Sequence, residues 1–314
     1  PPPILSGLVG SEMCIRDSCS IVAYHDVVIA PRLPVPRILC CLSMDGTVTV
    51  NKALQRSRGE VGLSFRDGDL SRLHQRGAAK ALLPRTHSST HEAVLVNTAG
   101  GITGGDRYDY QCEAAASRVV VTTQAAERAY RSSTDDIAGM DVRLAARRGA
   151  ALHWLPQETI LFEGSRFARH IEVDLDSSSE CLVLESLVFG RHAMGEALQS
   201  CHFTDQWRIR VEGRLVHAES LSLTEEIGAA LAASAGAAGA QMLATLVYVG
   251  PRPEQLQADI SAVLPSLASR VAVSCWQGRL VLRLLAAETM TGKANLSRII
   301  GSIRGQHVPR VWQT

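Results

Sequence analysis

The chain is predicted to be mainly β, on three observations. From Val61 onward apolar and polar residues alternate with a period of two, most clearly over 141–144, 170–175, 207–211 and 271–274. Turn-forming residues interrupt these runs at short intervals: Arg147-Arg148-Gly149, Glu163-Gly164-Ser165, Ser177 to Ser179, Gly190 and Glu212-Gly213. Helical spacing is confined to two late segments. Short strands punctuated in this way fit an all-β sandwich, a barrel or an irregular solenoid, and the pattern leaves the three open.

The late segments are read element by element. Residues 253–267 place Leu256, Ile260, Val263, Leu264 and Leu267 on one helical face, and 295–304 do the same with Leu296, Ile299, Ile300 and Ile303. Between them VAVSCWQGRLVLRLL reads as a hairpin turning at Gln277-Gly278. The stretch 228–240 is rich in alanine, which favours helix, and in glycine, which opposes it, and is read as a low-complexity connector.

Composition excludes several function classes. With 32 basic against 31 acidic residues, a net charge of +1 and no basic stripe with interleaved aromatics, nucleic acid is not an expected partner. No apolar run reaches the about 20 residues of a membrane span, so a soluble chain is expected. The eight cysteines form no C-x-x-C; Cys112, Cys181, Cys201 and Cys275 are scattered over strand-like runs. Such thiols point to a reducing, cytoplasmic setting and away from a structural zinc site. Residues 1–43 break from the rest in composition, carry no secretory signal, and read as a non-native or disordered leader before Met44, with 44–314 as one β-rich domain.

The densest motif is NTAGGITGGD at 97–106, directly after the apolar run 93–96. A phosphate cradle would need a lysine after the last glycine and a helix to follow; here Asp106 follows and RYDYQCEA alternates like a strand, so no nucleotide is expected. The dinucleotide fingerprint fails on spacing. A hairpin with glycines at its bulges is the reading the pattern favours. Three further motifs come in order: TTQAAERAY at 122–130, LHWLPQETILFEG at 152–164 and ESLVFGRHAMGE at 185–196.

These four motifs, in this order over about residues 60–304, resemble the urease accessory protein D family (UreD, also called UreH). Thr98 and Ala99 replace two prolines of the family pattern, Arg128 a lysine and His153 a common glutamate. The resemblance implies a β-helix-like stack of strands closed by two C-terminal α-helices. It further implies a non-enzymatic maturation factor that binds apo-urease, recruits UreF and through it the GTPase UreG, and gives nickel a route into the urease active site. GTP hydrolysis would belong to the partner. Nothing in the sequence shows a bicarbonate site for the lysine carbamate of urease.

Catalytic constellations are weak by comparison. There is no G-x-S-x-G elbow. His87 and His91 in HSSTHE read as exposed loop histidines rather than metal ligands. Glu185 and Glu196 could form the carboxylate pair of a small hydrolase, but few aromatics are present to stack sugars. A protein that passes nickel onward should lack a closed cage and offer single carboxylates along a wet passage. On that argument the candidates for a transient nickel path are Asp106, Glu127, Glu158, Glu163, Glu185, Glu196 and His192. The competing reading of each is a turn cap or an ion pair, notably Glu185 with Arg191 and Glu196 with backbone amides. A plain scaffold that never touches nickel is the remaining alternative. Deletion of residues 1–43 is expected to leave the melting temperature and partner binding unchanged, which differential scanning calorimetry and affinity capture would check.

Overall fold

The computed structural model describes residues 55–86 and 88–313; the leader, the Met44 boundary and His87 lie outside them. In chain order the strands are β1 Arg58–Arg66, β2 Asp69–Gly77, β3 Ala79–Leu82, β4 Thr90–Asn97, β5 Arg107–Ala115, β6 Arg118–Thr123, β7 Glu127–Ala129, β8 Ala138–Arg147, β9 Ala151–Trp154, β10 Thr159–Leu161, β11 Arg166–Leu175, β12 Glu180–Phe189, β13 Ser200–Val211 and β14 Arg214–Glu226. A five-residue helix α1, Gly228–Ala232, precedes β15 Met242–Val249; then come α2 Pro253–Val263, β16 Arg270–Trp276, β17 Arg279–Ala286 and α3 Thr289–Arg304.

Two sheets face each other. One wall runs β14-β13-β11-β8-β5-β1-β2, the other β16-β17-β15-β12-β9-β6-β4-β3, with β7 and β10 paired alongside the second. From β4 to β13 the chain alternates between the walls: β4, β6, β9 and β12 stack in parallel on one, while β5, β8, β11 and β13 do so on the other. The chain therefore winds as a solenoid, and the solenoid option of the three is the one adopted. Parallel pairing also explains why the hairpin reading of 97–106 was incorrect. That segment carries the chain from β4 across to β5 on the other wall, which a two-stranded hairpin cannot do.

Antiparallel hairpins finish the stack. β1/β2 turns at Asp67-Gly68 and β13/β14 at Glu212-Gly213, all four residues with positive φ, the primed turn that suits twisted strands. Gln277-Gly278 turns β16 into β17 in the same way, as the sequence indicated. Every residue of β2 is exposed.

The core follows from alternation. Along β12, Cys181, Val183, Leu187 and Phe189 point between the walls, whereas Leu182, Leu184 and Val188 point outward beneath the helices. Leu256 and Ile260 of α2 and Leu296, Ile299, Ile300 and Ile303 of α3 cover that outer face, so the second wall is buried on both sides. α2 ends at Val263 because Pro265 cannot continue it. α3 begins at Thr289, six residues before the segment whose spacing revealed it. Of 228–240 only the first turn is helical; turns follow.

The two kinds of corner differ. Crossovers from the first wall to the second are tight, at Ala116-Ser117, Arg148 to Ala150 and Asp176 to Ser179. Those from the second wall back to the first are long, and they are the four motif segments, stacked one above another along a single rim. The first two touch: Ile102 bridges Ala129, the Asn97 amide donates to Glu127, and the Tyr130 hydroxyl donates to the Gly100 carbonyl at 3.2 Å. The two prolines are replaced without loss of the turn, since Ala99 N donates to Asn97 Oδ1 at 2.9 Å and Thr98 N to the Ala78 carbonyl at 2.8 Å. Gly101 has φ +154°, and a Cβ there would lie 2.2 Å from the Tyr130 ring and 2.8 Å from the Arg128 carbonyl oxygen. Gly101→Val is expected to cost about 2–5 kcal/mol, read as a lowered urea midpoint.

Candidate functional site

The walls enclose an ionic cluster at their centre. Arg169 is an inward position of β11, Asp205 stands directly opposite it on β13, and Glu185 reaches in from β12. Arg169 is 1% exposed and Glu185 4%. The guanidinium forks onto Asp205, Nε to Oδ1 at 3.1 Å and Nη2 to Oδ2 at 2.5 Å, and its Nη1 pairs with Glu185 Oε2. Trp154 Nε1 donates to Glu185 Oε1 and Trp207 Nε1 to Asp205 Oδ1, each at 2.8 Å, while Thr159 Oγ1 takes a further Arg169 N–H at 3.2 Å. Two carboxylates share one cation. Burial, with Asp205 adding to it, pushes the Glu185 carboxyl above the ordinary carboxylate range despite the opposing pull of Arg169 and the indole N–H.

A cavity of about 130 Å³ borders this cluster on the motif rim, lined among others by Asn97, Gly101, Glu127, Trp154, Arg169 and Glu185. Glu127 accepts from Asn97 Nδ2 at 3.1 Å and from the Arg128 amide at 3.1 Å. Burial raises it to about 7, outweighing those two hydrogen bonds. A second cavity, about 100 Å³, lies beyond, lined by Glu185, Asp205, Glu219, Thr245 and Arg283 among others. Glu185 borders both. Beside the second cavity burial, chiefly, lowers the pKa of His217, and Arg279 and Arg283 act in the same direction against Glu219.

The structure places the seven candidates in different surroundings, with two of them in the lining of the first cavity. Glu127 and Glu185 share the first cavity. Asp106, fully buried, staples the glycine corner through Ser57 N at 2.6 Å and Thr103 N at 3.0 Å. Glu158 ties its corner to Lys293 of α3 at 3.1 Å. Glu163 accepts from the amides of Gln199 at 2.7 Å and Ser200 at 3.1 Å. Glu196 takes Arg191 Nη2 at 2.5 Å and the Glu163 amide at 3.2 Å; burial opposes its ionisation, but these partners hold its pKa below the usual carboxylate range. His192 sits in the short turn His192–Met194, its Nε2 without a hydrogen bond among the described residues.

Three expectations are corrected here. Arg191 bonds Glu196, not Glu185; the cation for Glu185 is Arg169, whose place in an alternating strand gave it an inward position that residue type alone disguised. Glu185 and Glu196 form no hydrolase dyad, since Glu196 lines neither cavity that Glu185 borders. His91 is on β4, half-buried with its ring 5.2 Å from Phe65, rather than in a loop. At the position where the family favours glutamate, His153 lies beside Arg304 and Arg118, and burial with those charges depresses its pKa to about 3. Among the described residues no three His, Cys, Asp or Glu side chains are grouped to hold a metal ion, and no helix is long and apolar enough to cross a membrane.

Comparison with known proteins agrees with the motif rim. A family model described as UreD urease accessory protein matches residues 56–313. The chain belongs to the UreD urease accessory protein family. Urease accessory protein UreD of Rhizobium leguminosarum bv. trifolii (strain WSM2304) is 44% identical over 262 residues, 81% of this chain and 94% of the relative. That of Agrobacterium fabrum (strain C58 / ATCC 33970) is 43% identical over 85% of this chain and 94% of its own. Urease accessory protein UreD 1 of Brucella melitensis biotype 1 is 40% identical over 83% and 95%. These UreD relatives are named as accessory proteins, not as enzymes.

The raised Glu127 gives a pH test within this UreD fold. Folding favours its protonated form, so its contribution to stability is greatest below about pH 4.5 and falls as pH rises to about 7. The wild-type minus Glu127→Gln difference in unfolding free energy is therefore expected to decline over that interval, by up to about 3 kcal/mol and less in so far as the carboxylate stays hydrated. Urea titrations at pH 5, 6, 7 and 8 would check it.

Proposed function

We propose that this chain is a cytoplasmic urease maturation factor that binds apo-urease, recruits UreF and through it the GTPase UreG, and carries nickel as cargo along the interior bordered by Glu127 and Glu185. The observation that carries the reading is the charge balance of the core. One buried cation, Arg169, serves Glu185 and Asp205, and Glu127 lines the same cavity with the neighbouring Arg128 charge too weak to offset its burial. Buried carboxylates in that state gain from a divalent cation, which offsets charge that burial otherwise penalises. The lack of a three-ligand group among the described residues suits a protein that must release its metal. The chain acts by binding and positioning, and no nucleotide enters its own chemistry.

The test is co-expression with urease, UreF and UreG. Tagged wild-type chain should retain UreF, and UreG only when UreF is present. Glu185→Gln keeps the side-chain shape and the acceptor for Trp154 while removing charge; the complex should persist while nickel per urease and urease activity fall several-fold. Glu196→Gln, which loses its ion pair with Arg191 at the rim, should instead lower complex yield and activation together. Full activation at wild-type nickel content by Glu185→Gln would refute the cargo route and leave the scaffold reading.

A further inference from the structure

The outer face of the second wall carries a group of cations that the interior does not use. Register across β4, β6 and β9 sets Thr90 beside Arg118 and Arg118 beside Ala151, and in the next outward row Glu92, Val120 and His153. These rows face away from the first wall, since Val120, and Leu182 paired with His153, belong to the core beneath the helices. The C-terminal end of α3 lies over them. There Arg304 and Gln306 join Thr90, Arg118 and His153 in lining a small cavity of about 10 Å³. That is room for one water-sized occupant.

Charge at this cavity is unbalanced. Among the described residues none of Arg118, Arg304 and the nearby Arg310 forms an ion pair, and Arg304 Nη1 is spent on the His307 carbonyl at 3.0 Å. Arg252, also close to His153, is paired with Glu180 at 3.6 Å. Glu92 is the acid of this face, and burial works against its ionisation while Arg304 and Arg310 favour it. The His153 ring adds no charge, because burial and the guanidiniums around it keep it neutral, and its buried Nδ1 has no hydrogen-bond partner. A water in the cavity would satisfy the ring nitrogen but leave two guanidiniums facing each other uncompensated; an anion answers both.

We propose that this cavity binds one small inorganic anion of chloride size, held by Arg118, Arg304 and an N–H of the neutral His153 ring, and that the ion ties the end of α3 to β6 and β9. A neutral imidazole can carry its proton on Nδ1 and so donate to an anion. A glutamate at 153, which the family pattern favours, would bring its own carboxylate to these guanidiniums; the histidine leaves that place to an ion. The site lies outside the space between the walls and does not rest on the cargo route.

The test is thermal melting of the full chain in sodium chloride and in sodium gluconate at equal ionic strength, gluconate being too bulky to enter. Equal ionic strength keeps general screening the same in both. Wild type should melt a few degrees higher in chloride, as a ligand of the folded state requires, and that rise should vanish in Arg118→Met and in His153→Glu, each checked for folding by circular dichroism. Equal melting of wild type in the two salts overturns the site, and so does a chloride effect that persists in either folded variant. Should both variants fail to fold, wild-type crystals grown in bromide decide. An anomalous peak within hydrogen-bond reach of Arg118, Arg304 and His153 supports the ion, and a cavity holding only water rejects it.

Discussion

Arg169 between Glu185 and Asp205 is the interaction on which the rest of the interior depends. It joins β11, β12 and β13, and so ties the two walls together at a level where apolar side chains alone would do so elsewhere. Placing a guanidinium and two carboxylates there is costly, and the two indole N–H groups and Thr159 help to make it tolerable, since each of the four carboxylate oxygens accepts at least one hydrogen bond. The cluster also interrupts the packing. Large ionic groups with fixed geometry do not interdigitate as Leu and Val do, and a cavity lies on either side of them. The same residues thus hold the walls together and keep the space between them from closing.

The rim explains how the sequence motifs relate to this core. Each long crossover from the second wall to the first carries one motif, and winding places them one above another although they are spread over a hundred residues of chain. Their acids do different work. Asp106, Glu163 and Glu196 satisfy backbone amides of irregular chain that has no ladder to pair with, Glu158 anchors α3, and Glu127 joins Glu185 at the first cavity. A long corner needs such staples, whereas the tight opposite corners need little beyond glycine, serine and one aspartate.

Much of the architecture was legible because burial on one side of a strand leaves a period of two, and β5, β8, β11, β13 and both hairpin turns at 212–213 and 277–278 could be placed from it. What periodicity cannot say is whether neighbouring runs pair with each other or cross to a facing wall, and the glycine segment was misassigned for that reason. The motif resemblance supplied the topology that periodicity lacked. At the site, Glu185 was recognisable as an acid within an apolar strand. Arg169 was not singled out, although FARHIEVDL puts it in phase with Phe167, Ile171 and Val173; a charged residue in phase with core positions is the signal that would have found it. Asp205 and His217 carry the same signal, in phase with Phe203 and Trp207 and with Leu221. The pairing of Arg169 with Glu185 depends on register across the walls, which one sequence does not display.

The way the coil ends sets a limit on self-association. A stack of parallel strands offers, at each terminus, a free row of N–H and C=O groups onto which another stack could add, the geometry by which open solenoids grow into fibres. Among the described residues the last strands of the first wall are β2 and β14, turned back antiparallel by primed hairpins, and β2 is exposed throughout with Arg72, His74 and Arg76 along it. An identical β2 brought alongside would set like charges against one another, and it would meet a strand running against the direction of the coils. Growth by end-to-end addition is thereby disfavoured on both counts.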